Sequence, residues 1–204
     1  VDPREFADSA LVPGDEFVII YNGTIVKLLN LTIIVEAIKM LKDEIPAEDF
    51  RKIVFRLYGD GPALEEILGL AKSLGVEDKV QYMGYLQPAD MRREVLKTSV
   101  LILPPVKNIY SDLFYTIKLI ETIYLKIPVI ATRLNTYGRY YSEEALYYFD
   151  SGDTRGLADR IKEVYYDKTL ARRKTETARA EYDKLGWDIM RERYVEIVEG
   201  MITP

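Results

Sequence analysis

The residues best suited to chemistry lie in one short segment, residues 116–121, with the sequence Thr-Ile-Lys-Leu-Ile-Glu. If a helix begins near Thr116, its first backbone amides lack intrahelical acceptors and favour an anion such as a diphosphate. Lys118 adds a positive charge in the first turn. Glu121 lies one turn further along, where its carboxylate can accept hydrogen bonds from a ribose diol. These residues alone leave open the alternative of an exposed Lys118 and a Glu121 that caps the helix or pairs locally.

Other catalytic chemistries have few candidates in this chain. Histidine and cysteine are both absent, which removes the commonest general base, the commonest zinc ligand and any disulfide. No Asp-x-Asp pair occurs, so we expect no metal ion at a diphosphate. Residues 23–27, Gly-Thr-Ile-Val-Lys, follow the first predicted strand and do not match the dinucleotide-binding glycine pattern, and no Walker A motif occurs. Binding of NAD and hydrolysis of ATP are therefore disfavoured.

The composition is that of an ordinary globular domain. The 204 residues are 48% hydrophobic and 30% charged, with a net charge of −5. No apolar run is long enough to span a membrane and no signal-peptide pattern opens the chain. The densest basic run, residues 172–174, shares its helix with Glu176 and Glu181, which disfavours nucleic-acid binding. We expect a cytoplasmic protein.

Short apolar β-type runs alternate along the chain with segments of helical periodicity. Each predicted strand is followed by a helical or irregular crossover, which calls for a parallel sheet with helices on both faces. The predicted fold is therefore α/β, a doubly wound six-stranded parallel sheet of Rossmann-like type. Strands are predicted at residues 17–21, 53–58, 79–83, 99–103, 128–131 and 146–149. In such sheets ligands bind beyond the carboxyl ends of the strands, where strand order reverses.

The motifs between these elements resemble those of the group 1 family of retaining glycosyltransferases, in the C-terminal half of their two-Rossmann B-type fold. The resemblance covers nearly the whole chain and keeps the order and spacing of the family motifs. Matching segments are residues 21–26, 59–62 (Gly-Asp-Gly-Pro), 80–86, 103–105, 118–121, 127–132 and 150–153. The opening residues 1–6 resemble the interdomain linker of the family, and Trp187 matches the aromatic residue that commonly starts the terminal helix.

The resemblance implies a nucleoside-diphosphate sugar as ligand, a UDP- or GDP-sugar, with no cofactor or metal. Glu121 matches the second glutamate of a Glu–seven residues–Glu motif that holds the donor ribose. The other donor-binding candidates are Thr116 and Ile117 at the diphosphate with Lys118 beside them, Gly84, Tyr85 and Leu86 at the base, and Gly23, Thr24 and Lys27 near the phosphates.

The chain also departs from the family pattern. The first glutamate of the motif falls at Leu113, and Asp112 is one position out of register. The diphosphate-binding arginine and lysine fall at Thr24 and Leu29. Compensating charge is expected from Lys27, Lys118 or Arg133. Without it, the loss of two charge-assisted contacts weakens donor binding by about 1.5–3 kcal/mol each.

The expected function is donor binding for sugar transfer with retention of configuration. In relatives a second, N-terminal Rossmann domain binds the acceptor, so we expect a partner domain or subunit, an inactive isolated chain, and membrane contact only through that missing part. No catalytic residue is identified. The alternatives are a degenerate, non-catalytic partner of an active glycosyltransferase and, with less support, half of a nucleotide-sugar 2-epimerase.

The expected organisation is a linker at residues 1–16, a donor-binding domain at residues 17–185 and a C-terminal helix at residues 186–204. That helix carries one apolar face, formed by Trp187, Met190, Tyr194, Ile197, Val198 and Met201. This face packs against the body of the domain or, alternatively, reaches a second domain or subunit.

Overall fold

The computed structural model describes residues 11–12 and 14–202. Six strands alternate with helices, as the sequence predicts, and each strand lies within one residue of its predicted bounds. The strands are β1 (Phe17–Asn22), β2 (Ile53–Tyr58), β3 (Val80–Gly84), β4 (Val100–Leu103), β5 (Val129–Thr132) and β6 (Tyr147–Phe149). Of the expected linker, residues 1–10 and 13 lie outside the described residues.

All six strands are parallel and form one sheet in the order β3-β2-β1-β4-β5-β6. The chain moves outward from β1 to β3, returns to the other side of β1 with β4, and continues to β6. Strand order therefore reverses between β1 and β4, which is where ligands bind in open parallel sheets. The predicted doubly wound, Rossmann-like fold is confirmed.

Helices cover both faces of the sheet. One buried cluster joins inward residues of the strands, such as Ile19 and Phe55, to α1, α3 and α7. A second cluster joins the opposite face of β4 and β5 to α5 and α8. The helices are α1 (Thr32–Glu44), α2 (Ala47–Lys52), α3 (Leu64–Ser73), α4 (Pro88–Val95), α5 (Ile117–Tyr124), α6 (Asn135–Tyr140), α7 (Thr154–Tyr166), α8 (Lys168–Asp183) and α9 (Trp187–Ile202).

The terminal helix α9 begins at Trp187 as expected, but its apolar face does not pack against the described body of the domain. Trp187 is 73% exposed, Tyr194 68% and Met201 77%. Helical spacing defines an apolar stripe, but it does not specify what the stripe contacts. Contact with a second domain therefore stays a prediction, as do the expected domain bounds. Within the part of the chain that the structure describes, no helix combines the length and apolarity needed to cross a bilayer.

Candidate functional site

The loops that follow β1, β2 and β3 are joined to one another by backbone hydrogen bonds. The Gly23 amide donates to the carbonyl oxygen of Tyr58 at 3.0 Å, and the Gly59 amide donates to the carbonyl oxygen of Gly84 at 2.9 Å. Backbone polar groups in irregular segments need such partners when water is excluded. The three loops therefore form one continuous surface at the carboxyl edge of the sheet.

Glycine is required where these loops approach most closely. Gly59 has φ +113°, and a Cβ built on it would lie 2.1 Å from the carbonyl oxygen of Gly23. A Cβ on Gly61 would lie 2.2 Å from the carbonyl oxygen of Ile25. Both obstacles are backbone atoms, which cannot swing aside as a side chain can. The Gly-Asp-Gly-Pro motif at residues 59–62 thus allows the β2 loop to lie against the β1 loop.

A cavity of about 570 Å³ opens above these loops. Its volume falls within the roughly 300–1,000 Å³ range of small-molecule sites. It runs from the end of β3 across β2 and β1 to α5, and so includes the point where strand order reverses. The lining residues are Asn22, Gly23, Thr24, Tyr58, Gly59, Asp60, Tyr85, Leu86, Pro88, Met91, Arg92 and Glu121.

A second cavity, of about 690 Å³, lies at the opposite edge of the sheet. Phe17, which begins β1, lines this cavity, together with Ser99 and Pro128, which directly precede β4 and β5. The amino ends of parallel strands are not where open α/β sheets bind ligands. The cavity at the carboxyl edge is therefore the candidate site, although it is the smaller of the two.

Helix α5 begins at the edge of the candidate site. Thr116 is its N-cap, with an extended backbone, and its hydroxyl oxygen accepts a hydrogen bond from the Lys118 amide at 3.3 Å. The helix begins one residue later than predicted because Thr116 caps it instead of joining its first turn. The positive end of the helix dipole and the amides at this end favour an anion.

The Lys118 ammonium lies behind the β1 loop. Its Nζ is 5.5 Å from the centroid of the Tyr21 ring and 3.2 Å from where a Cβ on Gly23 would stand. Burial lowers the pKa of Lys118 below its usual value, and the nearby charge of Glu121 opposes that shift. The side chain is partly buried, so the alternative of an exposed Lys118 is wrong.

Tyr21 connects the last buried part of β1 to this loop. Its hydroxyl donates to the carbonyl oxygen of Thr24 at 2.6 Å. Burial raises the pKa of Tyr21 to about 12, so the hydroxyl keeps its proton at physiological pH. The ring therefore supports both the loop backbone and the Lys118 ammonium.

The structure brings together half of the predicted donor-binding residues and leaves Lys27 aside. Five of the ten line the cavity: Gly23, Thr24, Tyr85, Leu86 and Glu121. Lys118, Thr116 and Gly84 border it through the contacts described above, and Ile117, the first residue of α5, is exposed beside them. Lys27 is 77% exposed and pairs with Glu66 at 2.9 Å on α3, away from the cavity. Lys27 was predicted to lie near the phosphates because it is close to Thr24 in sequence. The short 3-10 turn at Lys27–Leu29 instead carries its side chain outward.

Asp112, one position out of register with the family's first glutamate, and Arg133, an expected source of compensating charge, both have partners outside the cavity. Asp112 accepts hydrogen bonds from the amide nitrogen and the side-chain Nδ2 of Asn135, each at 2.9 Å. Arg133 forms ion pairs with Glu143 and Asp150. Leu113, where the family has a glutamate, is 77% exposed. Asp112 therefore contacts the start of α6 and is not among the residues that line the cavity.

Sequence reasoning missed several residues of the cavity, notably Asp60, Met91 and Arg92. Asp60 lies inside the recognised Gly-Asp-Gly-Pro motif, so the motif itself was a usable signal. Arg92 lies in the middle of α4, where nothing in the local pattern distinguishes it from the neighbouring Arg93. Among the residues that the structure describes, no group of three or more carboxylates has the arrangement of a metal site.

A family model described as glycosyl transferases group 1 matches residues 2–181 of the chain. A curated relative, N-acetyl-alpha-D-glucosaminyl L-malate synthase of Bacillus anthracis, is 26% identical over 195 residues. The match covers 89% of this chain and 48% of that protein, so the chain spans about half the length of its relative.

Solved structures show the same fold. Anabaena HepE in complex with UDP superposes with a TM-score of 0.75 at 15% identity, over 91% of this chain and 49% of that chain. The C-terminal domain of LpcC, a glycosyl transferase group 1 family protein from Francisella tularensis, gives 0.72 at 15% identity. That superposition covers 90% of this chain and 97% of the LpcC domain.

Proposed function

We propose that this chain, which belongs to the group 1 glycosyl transferase family, binds the nucleoside-diphosphate sugar donor of a glycosyltransferase. The observation that carries the proposal is the position of Glu121, which lines the cavity where strand order reverses. A carboxylate at that point can accept hydrogen bonds from both hydroxyl groups of a ribose. The crystal structure of HepE with UDP supports the same ligand class for this fold.

The diphosphate is proposed to lie against the amino-terminal end of α5. The Ile117 amide begins this helix, and Thr116 holds the first turn by accepting a hydrogen bond from the Lys118 amide. The Lys118 ammonium supplies charge from behind Gly23, which lines the cavity. These groups would also stabilise the negative charge of a leaving nucleoside diphosphate.

The base is proposed to lie at the β3 end of the cavity, beside the loop of Gly84, Tyr85 and Leu86. Neighbouring strands are about 4.8 Å apart, so the ends of β1 and β3 are separated by about 10 Å. A nucleoside diphosphate whose phosphates lie near α5 can extend its base across that distance.

Sugar transfer with retention of configuration is proposed for the complete protein. The chain spans about half of its curated relative, and we propose that a second Rossmann domain or subunit contributes the acceptor site and further catalytic groups. A cytoplasmic location, with membrane contact only through that second part, likewise remains a prediction.

Nucleotide titration tests the proposal. Calorimetry of the chain with UDP, GDP and their sugars should give dissociation constants of about 1 mM or better. Glu121→Gln should weaken binding about tenfold or more, because a hydrogen bond to a charged group contributes about 1.5–3 kcal/mol. Glu66→Gln is the matched control, since Glu66 pairs with Lys27 outside the cavity. A chain that responds to none of these nucleotides refutes donor binding.

One set of observations favours a non-catalytic partner domain as second candidate. Thr24 and Leu113 are exposed where the family has charged residues, and Asp112 is held by Asn135. If the domain has lost donor binding, Thr24→Arg should restore nucleotide affinity that the natural chain lacks. If the natural chain already binds UDP or GDP and Thr24→Arg adds nothing, this alternative fails.

A further inference from the structure

The β3 end of the candidate site contains a side chain that the family motifs do not predict. Arg92 lines the cavity together with Pro88 and Met91. These three residues lie on one face of α4, because positions three and four apart are neighbours on a helix. Tyr85, 72% exposed, completes this end of the cavity.

The chemistry of this end suits a nucleobase. An exposed aromatic ring offers a face for stacking, and base–aromatic stacking contributes about 1–3 kcal/mol in other proteins. The Met91 thioether and the Pro88 ring add apolar surface. Arginine brings five N–H donors and no acceptor.

A donor-only group discriminates between bases when it meets their exocyclic keto or amino group. Uracil and guanine carry a keto oxygen, an acceptor, at the ring position where cytosine and adenine carry an amino group, a donor. At that position a guanidinium can donate a hydrogen bond to uracil or guanine. In cytosine or adenine it would face an amino group, which is also a donor. Its five donors also allow it to keep a partner within the protein while it contacts a base.

We infer that Arg92 is a specificity-determining residue that selects nucleoside diphosphates with a keto base, uracil or guanine, over those with adenine or cytosine. This inference rests on the proposed function, since it requires the phosphates to lie near α5. A nucleotide that extends over the distance of about 10 Å between the β1 and β3 strand ends then has its base, and not its phosphates, at the end of the cavity that Arg92 lines.

Calorimetry with UDP, GDP, ADP and CDP tests the inference on the natural chain first. We expect UDP or GDP to bind at least about tenfold more tightly than ADP and CDP, the change that one charge-assisted hydrogen bond produces. Equal binding of all four nucleotides overturns the inference and leaves donor binding intact. Absence of binding by all four overturns both.

Arg92→Met then assigns the selectivity to its side chain. The variant keeps an apolar stem of similar length but loses every donor, so UDP and GDP should lose about tenfold or more while ADP and CDP change little. The matched control is Arg93→Met, because Arg93 pairs with Asp90 at 3.2 Å and its side chain is 79% exposed. It should leave all four affinities unchanged.

A different pattern would assign Arg92 another role. If Arg92→Met weakens all four nucleotides by the same factor, the side chain contacts phosphate or ribose and the inference is wrong. Arg92→Gln serves as a second variant if Arg92→Met does not fold. A Gln amide both donates and accepts, so the preference for keto bases should fall while ADP and CDP gain relative to UDP.

Discussion

Gly59→Ala should strongly destabilise the domain because the β1 and β2 loops touch through their backbones. At φ +113° an alanine adopts a conformation that costs about 1–3 kcal/mol. Its Cβ would also stand 2.1 Å from the carbonyl oxygen of Gly23, so one loop must move by about 1 Å or more to reach ordinary contact. Overpacking of this kind adds about 1–3 kcal/mol. The free energy of unfolding should therefore fall by about 2–6 kcal/mol.

Gly69→Ala is the matched control, and its effect should have the opposite sign. Gly69 lies within α3, and a Cβ built there would meet no atom within 4 Å. Alanine is favoured over glycine in a helix interior by about 0.5–1 kcal/mol, so this variant should gain that amount.

Urea unfolding followed by circular dichroism measures both changes. The two substitutions add the same methyl group. A difference between their changes in unfolding free energy therefore reflects the local backbone conformation and packing at each position. If Gly59→Ala loses less than about 0.5 kcal/mol, the close approach of Gly59 and Gly23 is not a constraint on the fold. The account of how these loops form the candidate site would then be wrong.

Four further predictions follow from the surroundings of individual side chains. UDP affinity should fall as the pH rises through the Lys118 pKa, which burial lowers below its usual value, and this dependence should disappear in Lys118→Met. Tyr147→Phe should leave stability unchanged or raise it, because the Tyr147 hydroxyl is buried without a hydrogen-bond partner among the described residues. Tyr148→Phe should cost about 0.5–1.5 kcal/mol, because it removes the 2.9 Å bond from its hydroxyl to the carbonyl oxygen of Tyr141. Trp187, the only tryptophan in the chain and 73% exposed, should be quenched by acrylamide almost as readily as a free indole.

Each of these predictions has a result that contradicts it. A Lys118→Met variant that keeps the pH dependence would assign it to another group. Unfolding in urea should separate Tyr147→Phe from Tyr148→Phe, and equal losses would mean that the two hydroxyls have equivalent surroundings. A Trp187 that acrylamide fails to quench would place α9 against protein in solution.

The sheet could be predicted from the sequence almost completely. Six apolar β-type runs separated by helical segments allow few arrangements other than a parallel sheet covered on both faces, because crossovers must place helices there. The position of Glu121 at the carboxyl edge follows from the same topology, since α5 begins directly after the loop of β4. Local pattern and general packing rules are sufficient for both.

The contacts within the site required the tertiary structure. Lys27 and Lys118 look equally plausible as partners of a phosphate in the sequence, yet one pairs with Glu66 outside and the other lies behind Gly23. Arg92 and Arg93 are adjacent, yet the first lines the cavity and the second is exposed and pairs with Asp90.

The order of elements, the sheet and the edge at which a ligand can bind thus follow from local patterns along the chain. These depend on the periodicity and turn residues of neighbouring positions along the chain. Which charged side chains reach that edge depends on loops that are distant in sequence and meet at hydrogen-bond distance, as the Gly23 amide and the Tyr58 carbonyl oxygen do at 3.0 Å. A local pattern carries no information about such a meeting, so only the folded chain decides it.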